Sequence, residues 1–580
     1  MGSRRGARLT PRRRGRRRYT LSPAVSRDQV GSQFALLQNL VGLSIFLAMQ
    51  MPETAVPRAP LYFNFACDVV DRWARLLPDN CALWHVNSTT GREQKLTFRQ
   101  LAELSCRAAM FLQSCGIRPG DRVLLMLPRV PQWWVAMVAL IRLGAVPVPA
   151  TLLLTKREVS YRLLTAQASA VITSPEGITK VDEFEGTRVL AGGQQAGWAD
   201  FDAGLARATP SFGRNRTKCT DPGILYFTSA TTGDPKMVLH TQSSYGLGHW
   251  ITGKLWLDLM PQDVHWNISD LGWGKAAWSS FYGPWHMGAC VFALESTGKF
   301  DPILTLRTLA QFPITSWCAP PTALRLVVRQ DLARWQFPRL RHCVTAGEPL
   351  NPEVFHLWRG ATGLTLHEGY GQTETVLLIG NCPSLGHPAK PGSMGKAVPG
   401  MNVAVLDEAL KEVPPGQEGE VAVRVKPSRP VGLFKEYWLN PEEGARKFRG
   451  DWYLTGDRVV RDEEGYFWFV GRKDDVIKSS GYRIGPFEVE SALLEHPAVF
   501  EAAVVAKPDV LRGQIVKACV VLQPGVPSTD ELKTELQTHC KELIAAYKYP
   551  REIEFVPELP KTTSGKTRHF ELRQAAADSL

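Results

Sequence analysis

The 580-residue chain lacks several patterns that mark common protein classes. None of its eleven cysteines belongs to a CxxC pair, so neither a zinc site nor a disulfide framework has the clustering it needs. The GxxxxGK[ST] pattern of a Walker A loop is also absent. Residues 34–51 are apolar but contain Gln38, Asn39 and Ser44, and no later run is long enough to cross a bilayer. We therefore expect a soluble protein without stable membrane insertion, with its thiols in a reducing compartment.

Acidic residues are nearly missing from the N-terminal segment. Residues 1–33 contain ten Arg and one Asp, a charge of +9, which leaves +3 of the total of +12 for the rest of the chain. An Arg-rich segment that contains Ser and Thr and few acids is typical of a mitochondrial import signal. We predict a presequence over residues 1–50 and a location in the mitochondrial matrix. A nuclear or RNA-binding arm and a disordered tail are the alternatives. The near-neutral remainder gives no reason to expect nucleic acid as a partner.

The chain is too long for one compact core, so two or more domains are expected. Residues 121–150 read as a strand ending at Leu127, a helix from about Pro131 to Leu143, and a second strand after Gly144. Similar alternation recurs at residues 159–174 and 340–375. The predicted fold class is α/β with mostly parallel sheets flanked by helices, and ligands are expected at the carboxyl ends of strands.

A β-rich section with turn signals precedes Asp457, and helices alternate with strands after it. We predict a large N-terminal domain over residues 60–472, which includes the β-rich subdomain. A small, mobile α+β domain is predicted over residues 473–580, with the boundary near residues 472–475.

One loop raises the question of phosphate binding. In "LYFTSATTGDPKMVLHTQSS", an apolar run is followed by small and hydroxylated residues and then by Lys236. Hydroxyls and exposed backbone N–H groups with one lysine can surround a polyanion. Spacing alone does not separate this interpretation from a solvated turn between two strands.

Six motifs together resemble the acyl-adenylate-forming enzymes. "YFTSATTGDPKM", "TAGEPLNP", "EGYGQTET", "YLTGD", "GRKDDVIKSSGYRIGPFEVE" and "LPKTTSGK" occur in the order and approximate spacing of that superfamily, across about residues 60–570. "SYGLGHWITGKLWLDL" and "GPFEVESALLEHPAV" look like the medium-chain acyl-CoA synthetases of mitochondria. The resemblance implies two steps. A carboxylate attacks the α-phosphate of Mg-ATP to give acyl-AMP and pyrophosphate, and the thiol of coenzyme A then displaces AMP.

The resemblance assigns the first loop to the phosphates of ATP. The matching residues are Thr228, Ser229, Ala230, Thr231, Thr232, Gly233, Asp234, Pro235 and Lys236. Ala230 stands where the family has glycine. If that position needs a positive φ, alanine costs on the order of 1 kcal/mol.

The resemblance also assigns the remaining nucleotide contacts. Glu374 matches the magnesium-coordinating glutamate, Thr373 is expected at the α-phosphate or the substrate carboxylate, and Lys566 matches the lysine that neutralises charge during adenylation. Asp457 and Arg472 match the ribose-binding pair, although an ordinary ion pair is the alternative for them. The adenine pocket is expected from Gly347, Glu348, Glu368, Gly369, Tyr370, Gly371 and Gln372. Together with Lys236, Thr373 and Lys566 form the predicted catalytic set.

Coenzyme A is expected at the small domain. The loop that would line its pantetheine tunnel contains Ser480, Gly481, Tyr482 and Arg483, and its phosphates would meet Arg512, Lys541, Tyr549, Pro550 and Arg551. A solvated basic face is the alternative for these cations. Trp266 and Trp273 are the predicted walls of the acyl pocket, although tryptophans are also common in cores.

The leading hypothesis is a mitochondrial ATP-dependent acyl-CoA synthetase for medium-chain fatty or aryl acids. Its expected ligands are ATP, Mg²⁺, coenzyme A and a small carboxylic acid. The alternatives are a specialist for short-chain or aromatic acids, and a nucleotide-binding protein with impaired catalysis because of Ala230. The sequence does not predict the oligomeric state.

Overall fold

The computed structural model describes residues 58–213, 216–228, 235–480, 482–562 and 565–578. The predicted presequence and most of the first phosphate loop, residues 229–234, lie outside the described residues. So does Gly481.

The described residues up to 213 alternate between short strands and helices. The strands are β1 (Cys81–Asn87), β2 (Glu93–Thr97), β3 (Arg122–Met126), β4 (Val146–Pro149), β5 (Ala170–Thr173), β6 (Thr187–Leu190) and β7 (Ala199–Asp200). The α-helices are α1 (Asp71–Leu76), α2 (Phe98–Ser114), α3 (Pro131–Leu143), α4 (Lys156–Thr165) and α5 (Phe201–Arg207).

The middle of the chain contains the strands around the predicted nucleotide motifs. They are β8 (Pro222–Thr228), β9 (Lys236–Thr241), β10 (Val264–Asn267), β11 (Cys290–Glu295), β12 (Ser316–Cys318), β13 (His342–Ala346), β14 (Leu366–Tyr370), β15 (Ile379–Gly380), β16 (Ser393–Ala397), β17 (Val403–Leu406), β18 (Glu418–Arg424), β19 (Glu436–Tyr437), β20 (Phe448–Arg449), β21 (Trp452–Arg461), β22 (Tyr466–Arg472) and β23 (Ile477–Ser479). The α-helices are α6 (His249–Ile251), α7 (Gly274–Ala277), α8 (Gly283–His286), α9 (Pro302–Gln311), α10 (Pro321–Val328), α11 (Pro352–Thr362) and α12 (Pro441–Lys447).

The C-terminal part mixes strands and helices in the predicted way. Its strands are β24 (Tyr482–Ile484), β25 (Val499–Asp509), β26 (Gly513–Leu522) and β27 (Glu552–Phe555), and its helices are α13 (Pro486–Leu494), α14 (Asp530–Leu543) and α15 (His569–Asp578). Single π-helical turns occur at Ala66–Val70, Thr252–Trp256 and Trp278–Tyr282, and 3₁₀ turns at Pro175–Lys180, Leu332–Arg334 and Pro383–Leu385.

The predicted βαβ unit is present as β3, α3 and β4. Helix α3 begins with Pro131, whose fixed φ suits the first helical turn, and it ends at Gly144, which has a φ of 81°. Strands β3 and β4 are parallel and belong to a five-stranded parallel sheet in the order β4-β3-β5-β6-β7. The sequence therefore predicted this sheet correctly.

A larger sheet joins a parallel half to an antiparallel half. Its order is β17-β18-β21-β22-β16-β15-β14-β13-β12-β10-β11-β1-β2, and β20 pairs with β21. The strands from β14 to β1 run parallel, whereas those from β15 to β17 pair antiparallel. Strand β14 and the β21-β22 pair, which contain three of the predicted motifs, therefore belong to one continuous sheet.

The first phosphate loop does not connect two strands of a parallel sheet. It joins β8 to β9, which pair antiparallel in a small sheet with β19. The expectation that ligand-binding loops follow the carboxyl ends of strands in parallel sheets is wrong for this loop, because its two flanking strands form an antiparallel hairpin.

The C-terminal part has a hydrophobic core of its own. That core contains Ile484, Val489, Leu493, Val504, Val520 and Leu536, among others. Such a separate core is what an independently folding domain requires. We keep the boundary near residues 472–475 as a proposal that this core supports.

The structure bears on the predictions about membrane-spanning segments and cysteines. In the described part of the chain, no helix has the length and apolar content to span a membrane. The eleven cysteines all lie in the described ranges and form no disulfide there, and the Sγ atoms of Cys81 and Cys290 are 3.3 Å apart.

Candidate active site

A cavity of about 740 Å³ collects most of the residues that the motifs singled out. The predicted residues in its lining are Thr228, Pro235, Lys236, Trp273, Gly347, Glu348, Glu368, Gly369, Tyr370, Gly371, Gln372, Thr373, Glu374, Asp457, Arg472 and Lys566. They come from seven separated stretches of sequence, at residues 228–236, 273, 347–348, 368–374, 457, 472 and 566, so the fold assembles the cavity rather than any single motif. This volume is within the range of small-molecule sites.

The carboxylate of Asp457 is the best-defined acceptor in the cavity. Asp457 is buried, and its Oδ2 atom accepts hydrogen bonds from the Tyr370 hydroxyl at 2.6 Å and from the Gln372 amide at 2.7 Å. Arg472 pairs with Asp457 across β21 and β22, and its Nε lies 3.9 Å from Oδ1. The carboxylate is thus fixed in position, and Oδ1 is the oxygen less occupied by neighbours.

The Gln372 side chain locks this arrangement. Its amide nitrogen also donates to the Thr455 carbonyl at 3.0 Å, and its amide oxygen accepts from the Tyr453 hydroxyl at 2.9 Å. With both ends of the amide occupied, Gln372 holds Tyr453 and Asp457 in place.

The loop after β14 is held by its backbone, which leaves polar side chains for the cavity. The Thr373 carbonyl accepts hydrogen bonds from His240 Nε2 at 2.8 Å and from the Tyr245 hydroxyl at 3.1 Å. Burial lowers the pKa of His240 to about 3, so this histidine is neutral at physiological pH and donates from Nε2. The Glu374 Oε1 atom accepts from the Tyr437 hydroxyl at 2.8 Å.

Lys236 is held by a carboxylate that the sequence analysis did not identify. Its Nζ lies 2.5 Å from Oε1 of Glu443, a buried residue of α12. Asn440 caps this helix by accepting from the Glu443 N–H, which fixes the position of the carboxylate. An anion at the first loop would therefore share Lys236 with Glu443.

The predicted adenine side contains two different carboxyl groups. Glu348 accepts from the Thr322 hydroxyl at 3.0 Å and lies 3.7 Å from Arg325. Glu368 is buried, and desolvation raises its pKa to about 8, although a hydrogen bond from the Leu350 N–H at 3.3 Å acts in the opposite direction. Gly347 has a φ of 101° with open space where a side chain would begin, which suits a close approach of ligand to backbone.

Lys566 reaches the cavity from the C-terminal tail. Its backbone N–H donates to Thr562 Oγ1 at 3.1 Å, and its carbonyl accepts from the Thr562 N–H at 2.8 Å. The side chain remains accessible at the cavity wall. Crowding by surrounding protein lowers the pKa of the ammonium, which also faces Glu348, Arg472 and Asp457.

The residues predicted for coenzyme A lie apart from this cavity lining. Arg512 donates to Ser480 Oγ at 3.2 Å, Tyr482 stacks on Tyr547 with ring centroids 4.2 Å apart, and Arg483 pairs with Glu408 at 2.9 Å. A second group packs Lys541 and Arg551 against the ring of Tyr549, next to Pro550. None of these described residues is among those that line the cavity, so their assignment to coenzyme A stays a prediction.

Trp266 and Trp273 have different environments. Trp273 lines the cavity, whereas Trp266 is buried in the core beside Phe292, with ring centroids 5.8 Å apart. The prediction of Trp266 as a wall needs correction with respect to this cavity, because Trp266 lies on β10 and its side chain packs in a hydrophobic cluster with Phe292 and Trp317.

Several cavity residues had no motif to identify them. Tyr437, Glu443 and Lys447 line the cavity or bind its lysine, and Tyr453 and His240 support its loops. The sequence signal available was weak. Asn440 followed by a proline predicts the start of a short helix, α12. The charged residues of that helix would be expected to face solvent rather than a cavity.

Comparison with protein families identifies the fold as a known one. A model described as "AMP-binding enzyme" matches residues 70–438, and "AMP-binding enzyme C-terminal domain" matches residues 488–566. The chain belongs to the AMP-binding enzyme family. The two matched ranges include the sequence of the first loop at residues 228–236 and the tail lysine Lys566.

Relatives in this family align over nearly the whole chain. Mitochondrial acyl-coenzyme A synthetase ACSM3 of Rattus norvegicus is 48% identical over 89% of this chain and 91% of its own length. Mitochondrial acyl-coenzyme A synthetase ACSM5 of Homo sapiens is 49% identical over 89% of this chain and 90% of its own. The crystal structure of the anthranilate CoA ligase AuaEII, in complex with anthranoyl-AMP, is 32% identical with a TM-score of 0.81, covering 90% of this chain and 99% of that one.

Proposed function

We propose that this protein activates medium-chain fatty or aryl carboxylic acids in the mitochondrial matrix, with the cavity around Asp457 and Lys566 as its adenylation site. The general activity follows from the family and its relatives. It is ATP-dependent synthesis of acyl-CoA through acyl-AMP, with release of AMP and pyrophosphate. The observation that supports the proposed site is the convergence of the tail lysine with six other stretches of sequence on one cavity.

Different cavity residues would contact different parts of ATP in the first step. Asp457 and Arg472 would hold the ribose, because a fixed two-oxygen acceptor suits a pair of hydroxyls. Gly347 and Tyr370 would flank the adenine. Lys566 would face the α-phosphate, where negative charge develops as the carboxylate attacks.

Mg²⁺ and the triphosphate fit at Glu374. Mg²⁺ is usually bound through one or two carboxylates together with substrate phosphates. Glu374 lines the cavity and keeps one oxygen beyond its bond to Tyr437. When bound, the ion neutralises phosphate charge. Lys236 would be a second cation at the phosphates if its ammonium bound a phosphate oxygen as well as Glu443.

The acid is proposed to be apolar. Trp273 contributes an apolar wall, and an acyl chain without a second charge suits it. The aryl alternative is supported by the anthranoyl-AMP complex of the structural neighbour. The matrix location is supported by the relatives named mitochondrial and by the Arg-rich first 33 residues.

The test is acid-dependent ATP–pyrophosphate exchange by the full chain, with acetate, butyrate, hexanoate, octanoate, benzoate and palmitate, followed by addition of coenzyme A. Exchange that peaks at intermediate chains or benzoate, with thioester product, is expected. ATP binding without exchange for any acid would instead support a nucleotide-binding protein without turnover. N-terminal sequencing of the cellular protein tests the location, because an intact Arg-rich segment in the mature form contradicts import processing.

A further inference from the structure

Lys447 is an ammonium in the cavity that no motif predicted. It ends α12, and its Nζ donates to the Thr455 carbonyl at 3.1 Å. A β-carbon at Gly456 would lie only 2.8 Å from this Nζ. The ammonium is therefore packed against strand β21 at Thr455 and Gly456, next to Asp457, and both Thr455 and Asp457 line the cavity.

This ammonium has hydrogen-bonding capacity to spare. An ammonium has three N–H donors, and the Thr455 carbonyl accepts one. Within the described residues, no carboxylate oxygen lies within 4 Å of Lys447 Nζ. Neighbouring lysines differ, because Lys236 is bound to Glu443 at 2.5 Å and Lys473 to Glu420 at 3.2 Å. Lys447 can therefore bind an anion without giving up an ion pair.

The charged groups around Lys447 offset only part of the cost of burying its ammonium. Desolvation lowers the pKa of Lys447, while Glu374, Glu420 and Asp457 favour its charged form from a distance and Arg472 disfavours it. A half-buried cation without a close counter-ion costs stability, so its retention at a ligand cavity points to a function for which the ligand supplies the missing charge.

The position along α12 indicates which part of the ligand it meets. Glu443 is one helical turn before Lys447, so the two side chains project from the same face. Glu443 binds Lys236, which is expected at the β- and γ-phosphates, and Glu374 is expected at their Mg²⁺. We propose that Lys447 binds the β- or γ-phosphate of ATP, and pyrophosphate after adenylation. This inference rests on the proposed function of the cavity.

The test compares ligands that differ in their phosphates. ATP, pyrophosphate and AMP are titrated calorimetrically into the full-length protein and its Lys447→Met variant. We expect at least 10-fold weaker binding of ATP and pyrophosphate, because a charge-assisted hydrogen bond is lost, and less than 2-fold weaker binding of AMP. Lys447→Arg should retain most of the affinity. Lys435→Met is the matched control, since Lys435 is exposed nearby but does not line the cavity.

A kinetic measurement separates the two half-reactions. Starting from synthetic acyl-AMP and coenzyme A, thioester formation by Lys447→Met should equal that of the wild type, because pyrophosphate is absent from that step. The KM of ATP in the exchange reaction should rise.

Three outcomes would overturn the inference. Equal loss of AMP and ATP affinity would place Lys447 at the nucleoside instead, and unchanged ATP affinity would leave it as a support for Thr455. Slowed thioester formation from acyl-AMP would also contradict it. If Lys447→Met fails to fold, Lys447→Gln, which keeps a donor and removes the charge, is measured in its place. Absence of exchange in the wild type would count against the proposed function alone, because the titrations need no turnover.

Discussion

Replacing Lys566 with methionine should slow adenylation strongly and leave the fold intact. The turn that contains Lys566 is held by its backbone bonds to Thr562, which do not involve the side chain. The ammonium faces the cavity together with Arg472 and Asp457. Methionine has a similar length, so the variant removes the charge with little change in packing.

The size of the effect follows from Coulomb's law. Two unit charges about 4 Å apart interact by about 4 kcal/mol at an effective dielectric constant of about 20. Because the Lys566 side chain is accessible, solvent screening reduces this value. A loss of about 10²- to 10³-fold in the rate of adenylation is therefore expected.

Two rates must be measured for each variant. ATP–pyrophosphate exchange reports adenylation, and thioester formation from synthetic acyl-AMP reports the second step. Lys561→Met is the matched control, because Lys561 lies on the same segment but its ammonium is already paired with Glu501 at 2.6 Å. Exchange within 3-fold of the wild type in Lys566→Met, or an equal fall in both half-reactions, would refute the assigned role.

Three further predictions concern single positions. Glu368→Gln should flatten the pH dependence of the free energy of unfolding. Because the pKa of Glu368 is raised to about 8, the folded protein binds more protons than the unfolded chain between about pH 4.5 and 8. Wild-type stability therefore falls as pH rises through that window, by at most about 1.4 kcal/mol per pH unit. Thermal unfolding from pH 5 to 8.5 measures this, and parallel curves for the two proteins would contradict it. Trp273→Ala should shift kcat/KM toward longer or bulkier acids, and an unchanged preference across the acid series would show that Trp273 does not contact the acyl group. Ala230→Gly should raise the exchange rate up to about 5-fold if a positive φ is required there, and an equal rate would remove the reason to suspect an impaired loop.

The sequence predicted those cavity residues that belong to short, recognisable motifs. Tyr370, Gln372 and Asp457 were assigned because their short motifs resemble those of the acyl-adenylate-forming enzymes, and the structure brings all three within hydrogen-bonding distance. The βαβ unit was also predicted from the sequence, because Pro131 and Gly144 mark the ends of its helix.

Other features depend on tertiary packing that a single sequence does not encode locally. Glu443 and Lys447 belong to a short polar helix that would look solvated in isolation. Only the tertiary fold brings Lys447 to the cavity wall and Glu443 to Lys236. Trp266 and Trp273 have the same side chain in adjacent motifs, yet one is in the core. The hairpin that contains the first loop could not be distinguished from a parallel connection, because both place a loop after an apolar strand.

The continuous sheet that joins β14 to β21 and β22 gives the proposed nucleoside contacts a different stability from the proposed phosphate contacts. Tyr370, Asp457 and Arg472 belong to one hydrogen-bonded network, so exposing their amides to solvent requires opening a cooperative unit. Lys236 and Lys566 are instead at a hairpin edge and on a tail. Amide hydrogen exchange should thus be slow at the nucleoside contacts and faster at the cationic ones, so a bound nucleotide would slow exchange most where the free protein is least protected.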